Sequence, residues 1–191
     1  MSNYPIIVIG GGEGSVDAAR RLLKSLPSDL PAGVLLHLMP AATDKADDPV
    51  RLLRSQSNLP LQLARHGEAV PRGCVRVVPP NCAAVFEKDG LLNVTRPDAP
   101  AGRPIDALCR SAIATFGAEL IGVVLSGAGD DGTAGLRAIK AAGGISIVQS
   151  PSDSANARMP VNALLGDQPD YSALVQQIGP LLVRFAHQLA E

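Results

Sequence analysis

Tryptophan is missing from these 191 residues and aromatic side chains make up only 3%, so the interior must be built from Ala, Val, Leu and Ile. That is an α/β composition. Lys and Arg total 17 against 18 Asp and Glu, a net charge of -1, and no long basic run is present to neutralise phosphates. Nucleic acid is therefore not an expected partner. The three cysteines, Cys74, Cys82 and Cys109, are odd in number and lack the C-x-x-C spacing of zinc or redox sites, so they are read as reduced structural thiols. From Met1 to Gly12 there is neither a positive leader nor an apolar run long enough for a signal or a membrane span. The expectation is a cytoplasmic protein with no membrane insertion.

What is present is a length suited to one domain, 1–191, able to bury roughly 70% of the surface its unfolded chain would expose. Two glycine-rich loops punctuate it, Gly10-Gly11-Gly12-Glu13-Gly14-Ser15 and Ser126-Gly127-Ala128-Gly129-Asp130-Asp131-Gly132, each closing an apolar run and opening a helical one. Tyr4 to Ile9 and Gly33 to Pro40 read as buried strands around a helix that Ser15 caps, with Val16, Ala19, Leu22 and Leu23 at helical spacing. After a polar, acidic stretch from Ala41 and a short helix at Val50 to Arg54, residues 60–90 read as extended segments. They end in a hairpin turning at Lys88-Asp89-Gly90, expected at a sheet edge. Arg96 to Pro104 is too rich in proline and glycine for regular structure. A helix through Phe116, a strand at Leu120 to Leu125, a helix at Thr133 to Ala142, a strand at Ile145 to Gln149 and an amphipathic helix at Asp170 to Ala190 complete the pattern. The predicted fold is α/β, doubly wound, with a mostly parallel sheet and an inserted edge hairpin.

Such a sheet gathers its loops at the carboxyl ends of the strands. Dinucleotide binding fits poorly, because G-x-G-x-x-G read from Gly10 puts Ser15 at the last glycine and no acidic residue ends the second strand. No P-loop lysine and no G-x-S-x-G elbow occur. Glu13, Asp130 and Asp131 could form an acidic rim for Mg²⁺, although carboxylates in glycine loops are ordinarily solvated; no cofactor and no metal are expected. His66 and His187 show no ligand spacing.

The order of strand, glycine loop, helix, strand ending in Met39-Pro40, and later Leu125-Ser126-Gly127-Ala128-Gly129-Asp130-Asp131-Gly132 resembles the catalytic domain of chemotaxis protein-glutamate methylesterases, the CheB family. Val75 to Pro80, Ala141-Ala142-Gly143-Gly144, Gln149 and Met159-Pro160 extend the resemblance over nearly the whole chain. Family members read approximately I-G-A-S-T-G-G, V-x-H-M-P and T-G-M-G-x-D-G, with Ser, His and Asp forming a triad. Carried over, Asp131 takes the acid position, whereas Gly12 falls where the nucleophilic serine belongs and Leu38 where the histidine belongs. Ala128 replaces the loop methionine, Ala83 stands where a histidine often follows the proline pair, and Arg103-Pro104-Ile105-Asp106 is one residue shorter than R-P-S-x-D.

Acyl transfer from a glutamyl methyl ester needs an activated nucleophile and a base within reach of it. The resemblance therefore implies a methylesterase-like module impaired in hydrolysis, one that engages chemoreceptor cytoplasmic helices or another signalling protein. The alternative is an active methylesterase using a displaced Ser15, His37 and Asp131 triad, or another hydrolase in the same crevice. Strand alternation points His37 away from Asp131, a helix cap is the structural reading of Ser15, and a cap on the helix that follows it is that of Asp131. The receiver domain that usually precedes this catalytic domain is expected to be absent.

Overall fold

The computed structural model describes residues 4–40, 49–97 and 102–190. Most of the acidic stretch after Pro40, at 41–48, and residues 98–101 of the proline-rich loop lie outside the described residues.

Strand β1 (Ile6–Gly11) occupies the centre of the molecule because it is wholly apolar or glycine and can be covered on both faces. It pairs in parallel with β2 (Gly33–Leu38) on one side and β7 (Leu120–Val124) on the other. The seven-stranded sheet runs β3 (Leu61–Leu63), β4 (Val75–Val77), β2, β1, β7, β8 (Ile145–Gln149), β9 (Tyr171–Ala173), and every pairing in it is parallel. The doubly wound reading of the sequence is met.

Side chains along each strand alternate between two packed layers. Ile7, Ile9, Leu36, Ile121 and Ile147 face α1 (Ser15–Ser25), α2 (Pro49–Gln56) and α6 (Val175–Leu189). Ile6, Val8, Leu35, Val124 and Val148 face α3 (Pro104–Phe116), α4 (Thr133–Ala141) and α5 (Arg158–Asp167). Fully buried residues such as Ile9 and Leu22 each contribute about 1.5–3 kcal/mol.

The structure corrects the sequence reading at several elements. The hairpin exists, as β5 (Ala83–Phe86) and β6 (Leu92–Thr95), but forms its own antiparallel pair instead of extending an edge of the main sheet. It lies on α3, where the rings of Phe86 and Phe116 meet edge to face at 4.9 Å and Ser111 Oγ accepts the Phe86 N–H. The predicted helix from Asp170 is split. Tyr171–Ala173 forms edge strand β9, anchored where Asp170 accepts hydrogen bonds from the Ser146 amide and hydroxyl, and the helix starts only at Val175. Helix α5 was not anticipated, since Pro160 and Gly166 lie within it; Pro160 is tolerated because the first helical turn needs no amide donor there.

Candidate functional site

The carboxyl ends of β1, β2 and β7 are stitched together by backbone bonds. Leu125 donates to Gly10, Met39 donates to Gly11, and Gly12 donates to Ser126 at 2.9 Å. Gly12, buried, is thus the point of the first glycine loop that meets the second. A Cβ built on it would lie 3.3 Å from Gly127 Cα, 3.5 Å from Met159 Sδ and 3.6 Å from Ala128 N. The backbone of Gly127 is thus close enough that any side chain at 12 would need the late loop to give by a few tenths of an ångström.

Gly11 is different, because a Cβ there would collide with the Cβ of Ser15 and approach its Oγ. In the I-G-A-S-T-G-G pattern these two places hold Ala and Gly, whereas here they hold Gly11 and Ser15. The methylene of Ser15 fills the volume that an alanine methyl at 11 would take. Ser15 does not cap α1 as expected: the N-cap is Gly14, at φ 77°, and no side-chain cap bond is made. Its hydroxyl, fully buried, instead donates to the Gly12 carbonyl at 2.5 Å.

His37 and Leu38 diverge from the end of β2. Leu38 packs into the α1 layer and is 8% exposed. His37 takes the opposite face, where its ring is hydrogen-bonded to the Cys82 backbone while Nδ1 is buried without a partner. Burial pushes its pKa down to about 4, the Cys82 bond opposing only part of that shift. Strand alternation holds, but its expected consequence needs correction: His37 lies on the side of the sheet that carries α3, the helix Asp131 caps. Even so, Ser15, His37 and Asp131 make no hydrogen bond with one another among the described residues.

Asp131 does not cap α4 through its side chain, because the N-cap there is Gly132. It reaches back to α3 and accepts the N–H groups of Ile105 and Asp106, both at 3.0 Å, together with its neighbour Gly132 at 2.9 Å. Burial pushes its carboxyl above the ordinary range, and these amides pull it back. Asp106, fully buried in the first turn of α3, returns the favour by accepting the Gly135 N–H of α4 at 2.7 Å. Each helix is capped by the other's acid. Between them Cys109 is buried, its thiol pushed up by burial and by both carboxylates.

The late loop is held by residues whose part the sequence reading missed. Gln149 at the end of β8 accepts the Ser126 N–H at 2.8 Å, and Ser126 Oγ donates to the Glu13 carbonyl while accepting the Asn156 N–H. Asn156 also ties its amide to the Glu13 carboxylate at 2.8 Å. Only the glutamine had a sequence signal, through its position after the A-A-G-G turn. The suggested acidic rim is not assembled: Glu13 pairs with Asn156, Asp130 with Arg103, and Asp131 with backbone amides. Among the described residues no three His, Cys, Asp or Glu gather in a way that could hold a metal ion. His66 and His187 are exposed, in a turn and on α6. No described helix is long and apolar enough to cross a membrane.

Residues 7–182 match the CheB methylesterase family. A putative protein-glutamate methylesterase/protein-glutamine glutaminase of Leptospira interrogans is 33% identical over 192 residues, 95% of each chain. Protein-glutamate methylesterase/protein-glutamine glutaminase 5 of Anaeromyxobacter dehalogenans is 32% identical over 184 residues, which is 94% of this chain and 50% of that protein. The chain therefore spans nearly all of the first relative and about half the length of the second. The crystal structure of the Thermotoga maritima CheB methylesterase catalytic domain superposes with a TM-score of 0.85 at 26% identity, over 96% of this chain and 99% of that one. On fold, loop order and sequence together, this chain belongs to the CheB methylesterase family.

Proposed function

We propose that this chain is a CheB-fold binding or regulatory module of a chemosensory system, cytoplasmic and without ester hydrolysis. Its partner is the helical cytoplasmic part of a chemoreceptor, or a signalling protein of similar shape. The observation that carries the reading is Gly12: where the family pattern has its serine, this chain has no side chain. Leu38, an aliphatic group in the α1 layer, takes the place of the histidine that would activate that serine. Ester and amide hydrolysis by this route both begin with attack by an activated hydroxyl, and loss of either nucleophile or base costs a serine hydrolase on the order of 10⁶ in turnover. A signal cannot be reset at that rate. The displaced hydroxyl of Ser15 is no substitute, being buried and bonded to the Gly12 carbonyl.

The test is direct. Purified protein mixed with methylated receptor is expected to release no methanol above background, and a serine-reactive phosphonate should leave its mass unchanged. A phosphonate adduct on Ser15 would overturn the inactive reading in favour of a displaced triad.

A further inference from the structure

We propose that the outer face of α5 is a docking surface for an acidic amphipathic helix of the partner, an inference that rests on the binding role above. Arg158, Val161 and Leu165 follow one another at i, i+3 and i+7, so they form one stripe about 10 Å long. Leu165 is 81% exposed, far more than any other large apolar residue among those described, and Val161 is 38% exposed, while the opposite side of the helix packs Met159 and Ala163 into the core. The stripe is rigidly mounted. Asn162 Nδ2 donates to the Gly129 carbonyl at 2.7 Å and the Met159 N–H donates to Gly127 at 2.8 Å, fixing α5 to the late loop.

At its amino end the stripe meets a depression of about 450 Å³ that Gly129, Ala157 and Arg158 help to line. Met159, on the buried side of the same helix, stands between α5 and Gly12, so the stripe faces away from that position.

Charge selects the occupant. Arg103, also beside the late loop, is neutralised by Asp130 and Asp106, but Arg158 has no carboxylate partner among the described residues. An apolar ridge two turns long suits the i, i+3, i+4 side chains of another helix, and the free guanidinium asks that helix for a carboxylate beside its apolar seam.

The experiment measures binding of a purified, fluorescently labelled two-helix cytoplasmic fragment of a chemoreceptor, with glutamate at its modification positions, by anisotropy. Leu165→Glu and Arg158→Glu are each expected to weaken binding about tenfold or more. Arg158→Lys should retain most of it. Leu63→Glu and Tyr171→Glu, on exposed apolar residues of the two edge strands, should leave it unchanged. If the wild type binds and the α5 variants bind equally well, this surface is wrong while the binding role stands. No binding by the wild type overturns both. Methanol release accompanied by α5-dependent binding overturns only the inactive reading and supports the surface. Should sedimentation show that Leu165→Glu turns a dimer into a monomer, the face belongs to a second copy of the chain and the proposal falls.

Discussion

Gly11 and Ser15 share one pocket of volume, and this has a measurable consequence at the scale of single residues. Gly11→Ala alone must push against the Ser15 methylene and is expected to cost about 1–3 kcal/mol of stability, as overpacking does. Adding Ser15→Gly removes the collision with Ser15 and leaves only the Ser126 carbonyl, 3.2 Å from the new methyl, so urea denaturation of the four-member cycle should show favourable coupling; additive effects would refute the shared volume. Gly12→Ser, whose Cβ would lie 3.3 Å from the Gly127 backbone, is expected to cost about 1 kcal/mol, less than Gly11→Ala, as urea denaturation will show. His37 gives a pH signature. Between the ordinary histidine value of 6.5 and about 4, the unfolded chain takes up a proton that the buried ring refuses. Stability should therefore fall as pH drops through that window, by up to roughly 3 kcal/mol. Asp131, with a raised carboxyl, loses stabilisation as pH rises through its own value and so tilts the curve the other way. Comparing wild type with His37→Phe isolates the imidazole; identical urea midpoints from pH 7 to 4.5, relative to each protein's own pH 7 value, would show that it does not titrate as described.

At the scale of elements, the crossed caps between α3 and α4 join the two helices that line the back of the crevice. Asp131→Ala strands the amides of Ile105 and Asp106, and thermal or chemical unfolding is expected to register a loss of about 1–3 kcal/mol. If the variant is as stable as the wild type, the cap carries no weight. The acid before Gly132 was legible as a cap, but the helix it serves was not, because its target lies 26 residues earlier in the chain. The same limit explains the other corrections. The turn at Lys88-Asp89-Gly90 announced a hairpin, yet nothing local distinguishes a strand hydrogen-bonded to a sheet from one resting on a helix. The Leu174, Ile178, Leu181, Leu182 and Phe185 spacing announced α6, whereas the three residues of β9 are held by Ser146 and Ser150, distant in sequence.

At the scale of the whole molecule, a parallel sheet covered on both faces delivers the ends of β1, β2 and β7 to one crevice whatever chemistry they carry. Scaffold and activity are therefore separable. Gly12→Ser alone is expected to remain unreactive toward a phosphonate, since no imidazole activates the new hydroxyl, while Gly12→Ser with Leu38→His should acquire labelling at residue 12. Mass spectrometry of the two variants decides it, and labelling of the single variant would show that another base already reaches the site.

The sequence by itself determined the elements that repeat a local period or end on glycine: the central strands, α1, α3, α4 and the two loops. Those signals are local, written in residue type and spacing. Only the tertiary structure decided that Ser15 fills the space at Gly11, that His37 is sealed against Cys82, that Asp131 serves α3, and that α5 turns an apolar stripe and an unpaired guanidinium outward. Each of these depends on which distant segment packs against the residue, and packing partners are fixed by the fold as a whole.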